Sequence, residues 1–354
     1  MTSAGSYDLD TTVDLDINGS RQRVRLCAAR AGSPPVLIVQ AGPGFPLLNE
    51  VPKFQRRLQL ERDFTVAYWD QRGCGPAPVR DARSVTLKTQ VADLLTVVRW
   101  LARTTRQPVV LLAISLGATV ALQAAARDSA DIAALVLVSL DADISASDTA
   151  VFHLLQEVGS RGGKPGMARR VRKLGPPPYL LPTQLQLRAR LLTDLGGIER
   201  GKGSAGLLWS SFSSLIRTYG WIGAWRTLRN MNTVQRRVLP ELPTVNLFRD
   251  WPQPSVAVHY IFGDRDPLVP RSQVQQMSMS IAGRSDTVLT VPAAGHFVHF
   301  DEPDLVRSVV ARARFSHDDL RSEREPESAR TEERLCPAAL ISTTAPMATS
   351  GSES

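Results

Sequence analysis

The sequence predicts an α/β molecule: a mostly parallel central sheet with flanking helices and a helical block inserted late in the sheet. Three observations carry this. Short apolar runs alternate with segments of helical period up to about residue 140, strand signals vanish between Asp141 and Leu247, and they resume at Ser255. A chain of 354 residues with 43% hydrophobic content can bury the core such a molecule needs, as one large domain with an insertion or as two domains.

Taken in order, Thr11 to Ile17 alternates like a half-buried strand, Asn18-Gly19 is a strong turn signal, and Arg21 to Cys27 alternates again, so a hairpin opens the chain. Val36 to Val39 and Phe64 to Trp69 are short apolar runs between turn residues and read as buried strands. Val91, Leu94, Leu95, Val98 and Leu101 recur at helical spacing within Val85 to Ala102. Pro108 to Ala126 then carries no charge for nearly the length of a membrane span. Ser115-Leu116-Gly117 punctuates that run, so it reads as a strand to Ile114, a turn, and a packed helix from Ala118. Ile132 to Leu140 supplies the next strand, and strands joined through helices must run parallel.

The inserted block consists of amphipathic segments broken at Arg161-Gly162-Gly163, Gly175-Pro176-Pro177-Pro178 and Gly196-Gly197. Strands return at Ser255 to Phe262 and Asp286 to Val291, each followed by a helical stretch, near Val269 to Ile281 and Glu302 to Ala313. The expected organisation is a core over 1–140, a helical cap over 141–250, the rest of the core over 251–314, and a disordered tail over 315–354. The tail holds too few large apolar residues to offset the entropy of ordering it.

The formal charge of +8 is not spread evenly. Between Val151 and Pro240 fifteen Lys or Arg stand against three carboxylates, Glu157, Asp194 and Glu199, while the remainder of the chain is slightly acidic. No nucleic-acid motif accompanies the arginines, so a solvated basic face is expected rather than a nucleic-acid partner, and no membrane partner is expected either. Cys27, Cys74 and Cys336 are odd in number and far apart, which argues against a disulfide framework and a structural zinc site. The polar start of the chain does not read as a secretory signal, so a cytoplasmic setting is expected.

The strand ending at Ile114 runs into Ala113-Ile114-Ser115-Leu116-Gly117, a small-x-Ser-x-Gly string between strand and helix. This is the pattern of a nucleophile elbow, where small neighbours are needed because the serine sits on a cramped turn. An ordinary helix cap would use a serine there as well. The residue after an elbow serine offers its N–H to a developing oxyanion and an earlier strand-turn offers a second, which selects Leu116 and Gly42 of Gln40-Ala41-Gly42-Pro43-Gly44. Elbow serines are followed in the chain by an acid and then a histidine. His259 lies in a strand, His153 in the insert and His317 in the tail, whereas His296 follows Ala293-Ala294-Gly295 in a loop; His299 reads as packing or a solvated neighbour. The acid lies in Gly263-Asp264-Arg265-Asp266-Pro267, where Gly-x-x-Asp spacing favours Asp266 and leaves Asp264 to bond local backbone or pair with Arg265.

These residues, with Asp70-Gln71-Arg72-Gly73-Cys74-Gly75, resemble the α/β-hydrolase superfamily, and within it the proline-iminopeptidase-like branch, over roughly residues 10 to 313. The resemblance implies an α/β-hydrolase fold with a helical cap inserted after the sixth strand. Gln40 and Ala41 replace the His and Gly of that branch's His-Gly-Gly-Pro-Gly, and Pro76-Ala77-Pro78 replaces its usual Arg-Ser. The cap also lacks recognisable counterparts of the carboxylates that hold a substrate's free amine. The expected activity is cofactor-free, metal-free hydrolysis of an ester, amide or related acyl bond in a neutral or acidic small molecule. Proline iminopeptidase activity, a ligand-binding protein on a hydrolase scaffold, and an accessory protein whose basic cap docks an acidic partner are the alternatives.

Overall fold

A computed structural model describes residues 7–77, 79, 81–161, 166–282, 284 and 286–322, with side chains described as far as residue 314. The chain divides into a compact unit, Met1–His317, and a segment, Asp318–Ser354, of which only the end of one helix is described. The opening hairpin joins β1 (Leu9–Ile17) and β2 (Ser20–Ala28), with Asn18 and Gly19 both at positive φ in the two-residue turn. Across the pair Arg23 bonds Asp14 and Arg25 bonds Asp10, so the exposed face is held by charge pairs.

The remaining strands are β3 (Pro35–Val39), β4 (Thr65–Asp70), β5 (Val109–Ile114), β6 (Ile132–Val138), β7 (Val258–Gly263) and β8 (Thr287–Val291). They form one sheet in the order β1-β2-β4-β3-β5-β6-β7-β8, in which β2 alone runs antiparallel to its neighbours. Every residue of β3, β4, β5 and β6 is buried, which is why these strands read as unbroken apolar runs. Leu37, Leu111 and Leu135 face α2 (Leu87–Thr105), α3 (Leu116–Arg127) and α8 (Arg271–Ser280). Ile38, Leu112 and Val136 face α1 (Val51–Leu58), α9 (Val298–Asp301) and α10 (Pro303–Ser322).

Between β6 and β7 the chain inserts α4 (Ile144–Ser160), α5 (Met167–Leu174), α6 (Pro182–Asp194) and α7 (Ser204–Val238). Their own small core, around Val151, Leu155, Val171, Leu191 and Ile198, takes in Leu268 and Phe297 from the main body. Helix α7 breaks at Gly220, whose φ of 67° and ψ of 176° are not helical. One expectation needs correction. The helix expected to end near Ala313 continues to Ser322, because no Gly or Pro interrupts 304–325, so the first residues assigned to a disordered tail are helical. The rest of that segment, 323–354, lies outside the described residues. Among the described residues no helix is long and apolar enough to cross a membrane.

Candidate active site

Ser115 sits between β5 and α3 with φ 54° and ψ −123°, a positive-φ backbone that a serine adopts at a cost of about 1–3 kcal/mol. The surroundings hold it there. Its N–H donates to Val138 O at 2.8 Å, and a Cβ on Gly117 would lie 2.5 Å from the carbonyl oxygens of Val39 and Gln40. Ala113, in the first small position, is fully buried in the sheet. Only a glycine two residues beyond the serine lets α3 start hard against the end of β3.

His296 lies in the loop between β8 and α9 and is 4% exposed. Its Nε2 is 2.9 Å from Ser115 Oγ and its Nδ1 is 2.8 Å from Asp266 Oδ2. Asp266 accepts a second bond at Oδ1 from Leu268 N, at 2.8 Å, which orients the carboxylate. An acceptor at Nδ1 places the proton on that nitrogen and leaves Nε2 to accept from the serine hydroxyl. The three side chains therefore form one hydrogen-bonded chain from residues 115, 266 and 296, brought together by adjacent strands β5, β6, β7 and β8.

Of the two backbone positions expected to bind an oxyanion, one follows Ser115 directly and the other lies in the loop after β3. Leu116 is the first residue of α3, where an N–H has no partner within the helix. Gly42 has φ 67°, and a Cβ there would collide with the ring of Phe45. Gln40 folds back so that its Oε1 accepts from Ala41 N at 3.1 Å, so the glutamine in this loop serves its own backbone. Val39 pairs with Ala113, so the turn that follows β3 lies beside the elbow.

Residues 36–309 match the Alpha/beta hydrolase family. The chain belongs to this family. Its relatives include a protein called probable aminopeptidase YbaC from Bacillus subtilis (strain 168), 23% identical over 84% of this chain and 94% of that protein. Among solved structures it is similar to a proline iminopeptidase of Mycobacterium smegmatis, with a TM-score of 0.63 and 18% identity over 88% of this chain and all of that one. A proline iminopeptidase-related protein of Thermus thermophilus superposes with a TM-score of 0.57 and 17% identity over 86% of this chain and 96% of that one.

In this hydrolase the Asp70 to Gly75 motif is scaffolding. The Asp70 carboxylate accepts from Leu47 N at 2.6 Å, Leu48 N at 3.0 Å and the Tyr219 hydroxyl of α7 at 2.8 Å. Burial raises the Asp70 carboxyl above the usual range while those three donors pull it back. Arg72 forks onto Asp93 at 2.7 and 2.9 Å, a buried pair that also takes bonds from Asn18 and Gln22. A Cβ on Gly75 would lie 2.6 Å from Asp70 Oδ2, and one on Gly73 would lie 2.6 Å from Val234 of α7. The motif thus ties α7 to the turn that follows β3.

The insert also grips His296 directly. His296 N donates to Gly197 O at 2.9 Å and Phe297 N to Ile198 O at 2.8 Å, both in the turn after α6. The carbonyl of His296 accepts from Ser139 Oγ at 2.8 Å. Gly-Gly at 196–197 was legible only as a turn; its contact with the histidine loop arises from tertiary packing.

Neighbouring candidates fall into place. His299 is buried, stacked on Phe54 at 5.5 Å between ring centres, and burial holds it well below the usual histidine range, in line with a packing role. Asp264 departs from expectation: its N–H reaches Val291 O, but its buried Oδ1 has no hydrogen-bond partner among the described residues, and no pair with Arg265 forms. All three carboxylates of the basic segment are paired. Glu157 bonds Arg161, Asp194 bonds Arg170, and Glu199 sits between Lys53 at 2.7 Å and Lys202 at 2.8 Å. Burial opposes ionisation of Glu199, yet the two ammonium groups keep its carboxyl below the usual range. Asp141, just past β6, lies near Arg188 and Asp266 and accepts from Ser147 Oγ at 2.8 Å; burial pushes it up to about 7. Arg188 itself pairs with Asp148. Among the described residues no cluster of three His, Cys, Asp or Glu could hold a metal ion.

Proposed function

We propose that this hydrolase-family enzyme cleaves an ester, amide or related acyl bond through an acyl-enzyme on Ser115. The observation that carries the reading is the continuous Asp266–His296–Ser115 hydrogen-bond chain at 2.8 and 2.9 Å. Ser115 Oγ attacks the acyl carbon while its proton passes to His296 Nε2, and the Asp266 carboxylate stabilises the imidazolium that forms. The tetrahedral oxyanion takes hydrogen bonds from the N–H groups of Leu116 and Gly42. Collapse expels the alcohol or amine, which leaves with the proton from Nε2. Water then repeats the sequence on the acyl-serine and releases the carboxylic acid. The substrate is a neutral or acidic small molecule, because the carboxylates of the basic segment are already held by cations. Among the described residues the two buried thiols, Cys27 and Cys74, form no disulfide.

A fluorophosphonate probe tests this. Ser115 should be labelled, and Ser115→Ala should lose both labelling and turnover of a panel of acyl esters, by more than about a thousandfold, with melting temperature retained. A folded, unlabelled wild-type protein would leave a ligand-binding scaffold as the function instead.

A second reading, aminopeptidase activity, draws on Glu50 and Glu199, which approach one another near Lys53. Burial raises the Glu50 carboxyl and so favours its neutral form, which leaves this pair a weaker holder of a substrate cation. Lys53 and Lys202 already fill the cation's role at Glu199.

A further inference from the structure

Helix α7 is strongly unbalanced in charge and in aromatic content. Its 35 residues include Trp209, Trp221 and Trp225, half the six tryptophans of the protein, and five arginines without one Asp or Glu. One side is committed to the body of the protein: Tyr219 bonds Asp70, Asn230 donates to Gly75 O and Ala77 O, and Val234 and Val238 are buried in the main core. The other side carries large apolar groups in water. Trp209 and Trp221 are each 72% exposed, Ile222 70% and Trp225 61%. Trp221 and Trp225 are four residues apart and share one face, as do Trp209 and Phe212 before the kink. Phe212 and Trp221 meet edge to face at 6.4 Å, which makes the two halves one continuous patch across Gly220.

A patch of this kind marks a surface that is covered in use. Its chemistry selects the cover. Indole rings favour the level of lipid headgroups, and arginine stems lie along apolar surface while the guanidinium reaches phosphate. Arg226 and Arg229 are exposed beside the patch, with Arg229 over the ring of Trp225. A second copy of the chain fits poorly, since a two-fold contact sets a face against itself. That would oppose arginine to arginine with no carboxylate anywhere from Lys202 to Pro240 to pair with them. We propose that the outer face of α7 is an interfacial docking surface for an anionic lipid bilayer, its tryptophans among the headgroups and its arginines on lipid phosphates. The expectation of no membrane partner rested on reading the basic face as solvated and Pro108 to Ala126 as strand, turn and helix; a peripheral contact on α7 requires no spanning segment. The proposal stands apart from turnover at Ser115 and is tested without it.

The experiment is vesicle flotation of the full chain at about 0.15 M salt. Vesicles of phosphatidylcholine alone are compared with vesicles in which about one-third of the lipid is phosphatidylglycerol. Partition onto the anionic vesicles should exceed that onto the neutral ones by about tenfold or more, with a blue shift of tryptophan emission. The triple variant Trp221→Gln, Ile222→Gln, Trp225→Gln, all at exposed positions, should lower partition by about tenfold with unchanged melting temperature. Arg226→Gln with Arg229→Gln should weaken binding to anionic vesicles alone and flatten its salt dependence. Equal partition onto both vesicles, or a triple variant that floats like the wild type, would overturn the proposal. So would a dimer in sedimentation that the triple variant renders monomeric, since the face would then be covered by a second copy.

Discussion

At the scale of single residues, Ser115, Asp266 and His296 are distinguished from their chemical twins by what holds them. Asp266 and Asp264 lie two residues apart in one loop, yet only Asp266 reaches the imidazole, at 2.8 Å. Asp266→Asn should therefore lower kcat by about 10⁴-fold, the scale of losing the orienting acid in comparable triads, while Asp264→Asn should stay within about tenfold. Ester turnover by the two purified variants decides it, and a reversed ranking would move the acid. Gly-x-x-Asp and Gly-His in loops after strands made both site residues legible in the sequence, because loop position and chain order are local signals. The unpartnered Asp264 oxygen was not legible, since it depends on what surrounds the side chain. Asp141 supplies a pH dependence. Its carboxyl ionises near 3.8 when unfolded but is pushed up to about 7 by burial in the native state. Between those values the folded state binds the extra proton, so this group's contribution to stability falls as pH rises from about 4 to about 7. Asp141→Asn keeps an acceptor for Ser147 and cannot ionise. Its melting temperature relative to wild type should climb across that window, and a constant difference from about pH 4 to 8 would refute the assignment.

At the scale of elements, the insert is coupled to the loops that carry Asp266 and His296 through the short turn after α6. A Cβ on Gly197 would lie 2.6 and 2.7 Å from ring carbons of Pro267, the residue after Asp266, while Gly197 O holds His296 N. Gly197→Ala should push the acid and base loops apart and lower kcat by about tenfold or more, a displacement effect of the kind expected when a reacting group shifts by about 1 Å. Gly203→Ala, with negative φ and open space around it, should be silent. Steady-state kinetics on one small ester measures both, and equal kcat values for the two variants would contradict the clamp. The strands, α2 and α3 were legible from periodicity. The far end of α10 was not, because an apolar-content argument does not register a helix that simply meets no breaker.

At the scale of the whole molecule, the proposed specificity rests on charge. The three carboxylates between Val151 and Pro240 are each paired with lysine or arginine, and fifteen basic residues stand there, so the summed field of that segment is positive and opposes a cationic substrate. A prolyl arylamide with a free amine should therefore show no advantage in kcat/KM over its acetylated form. A preference of about a hundredfold for the free amine, about 2.7 kcal/mol of transition-state binding, would restore the iminopeptidase reading through Glu50 and Glu199. The sequence by itself determined the α/β architecture, the place of the insert and the three residues of the candidate triad, because apolar period, turn chemistry and motif spacing act over a few residues of chain. Only the tertiary structure decided that Asp70 and Arg72 are braces rather than catalysts, that Gly197 holds the histidine loop, and that α7 turns its tryptophans outward. Each of these depends on which distant segments the sheet order brings together and which face of a helix finds a partner, and no local pattern encodes that.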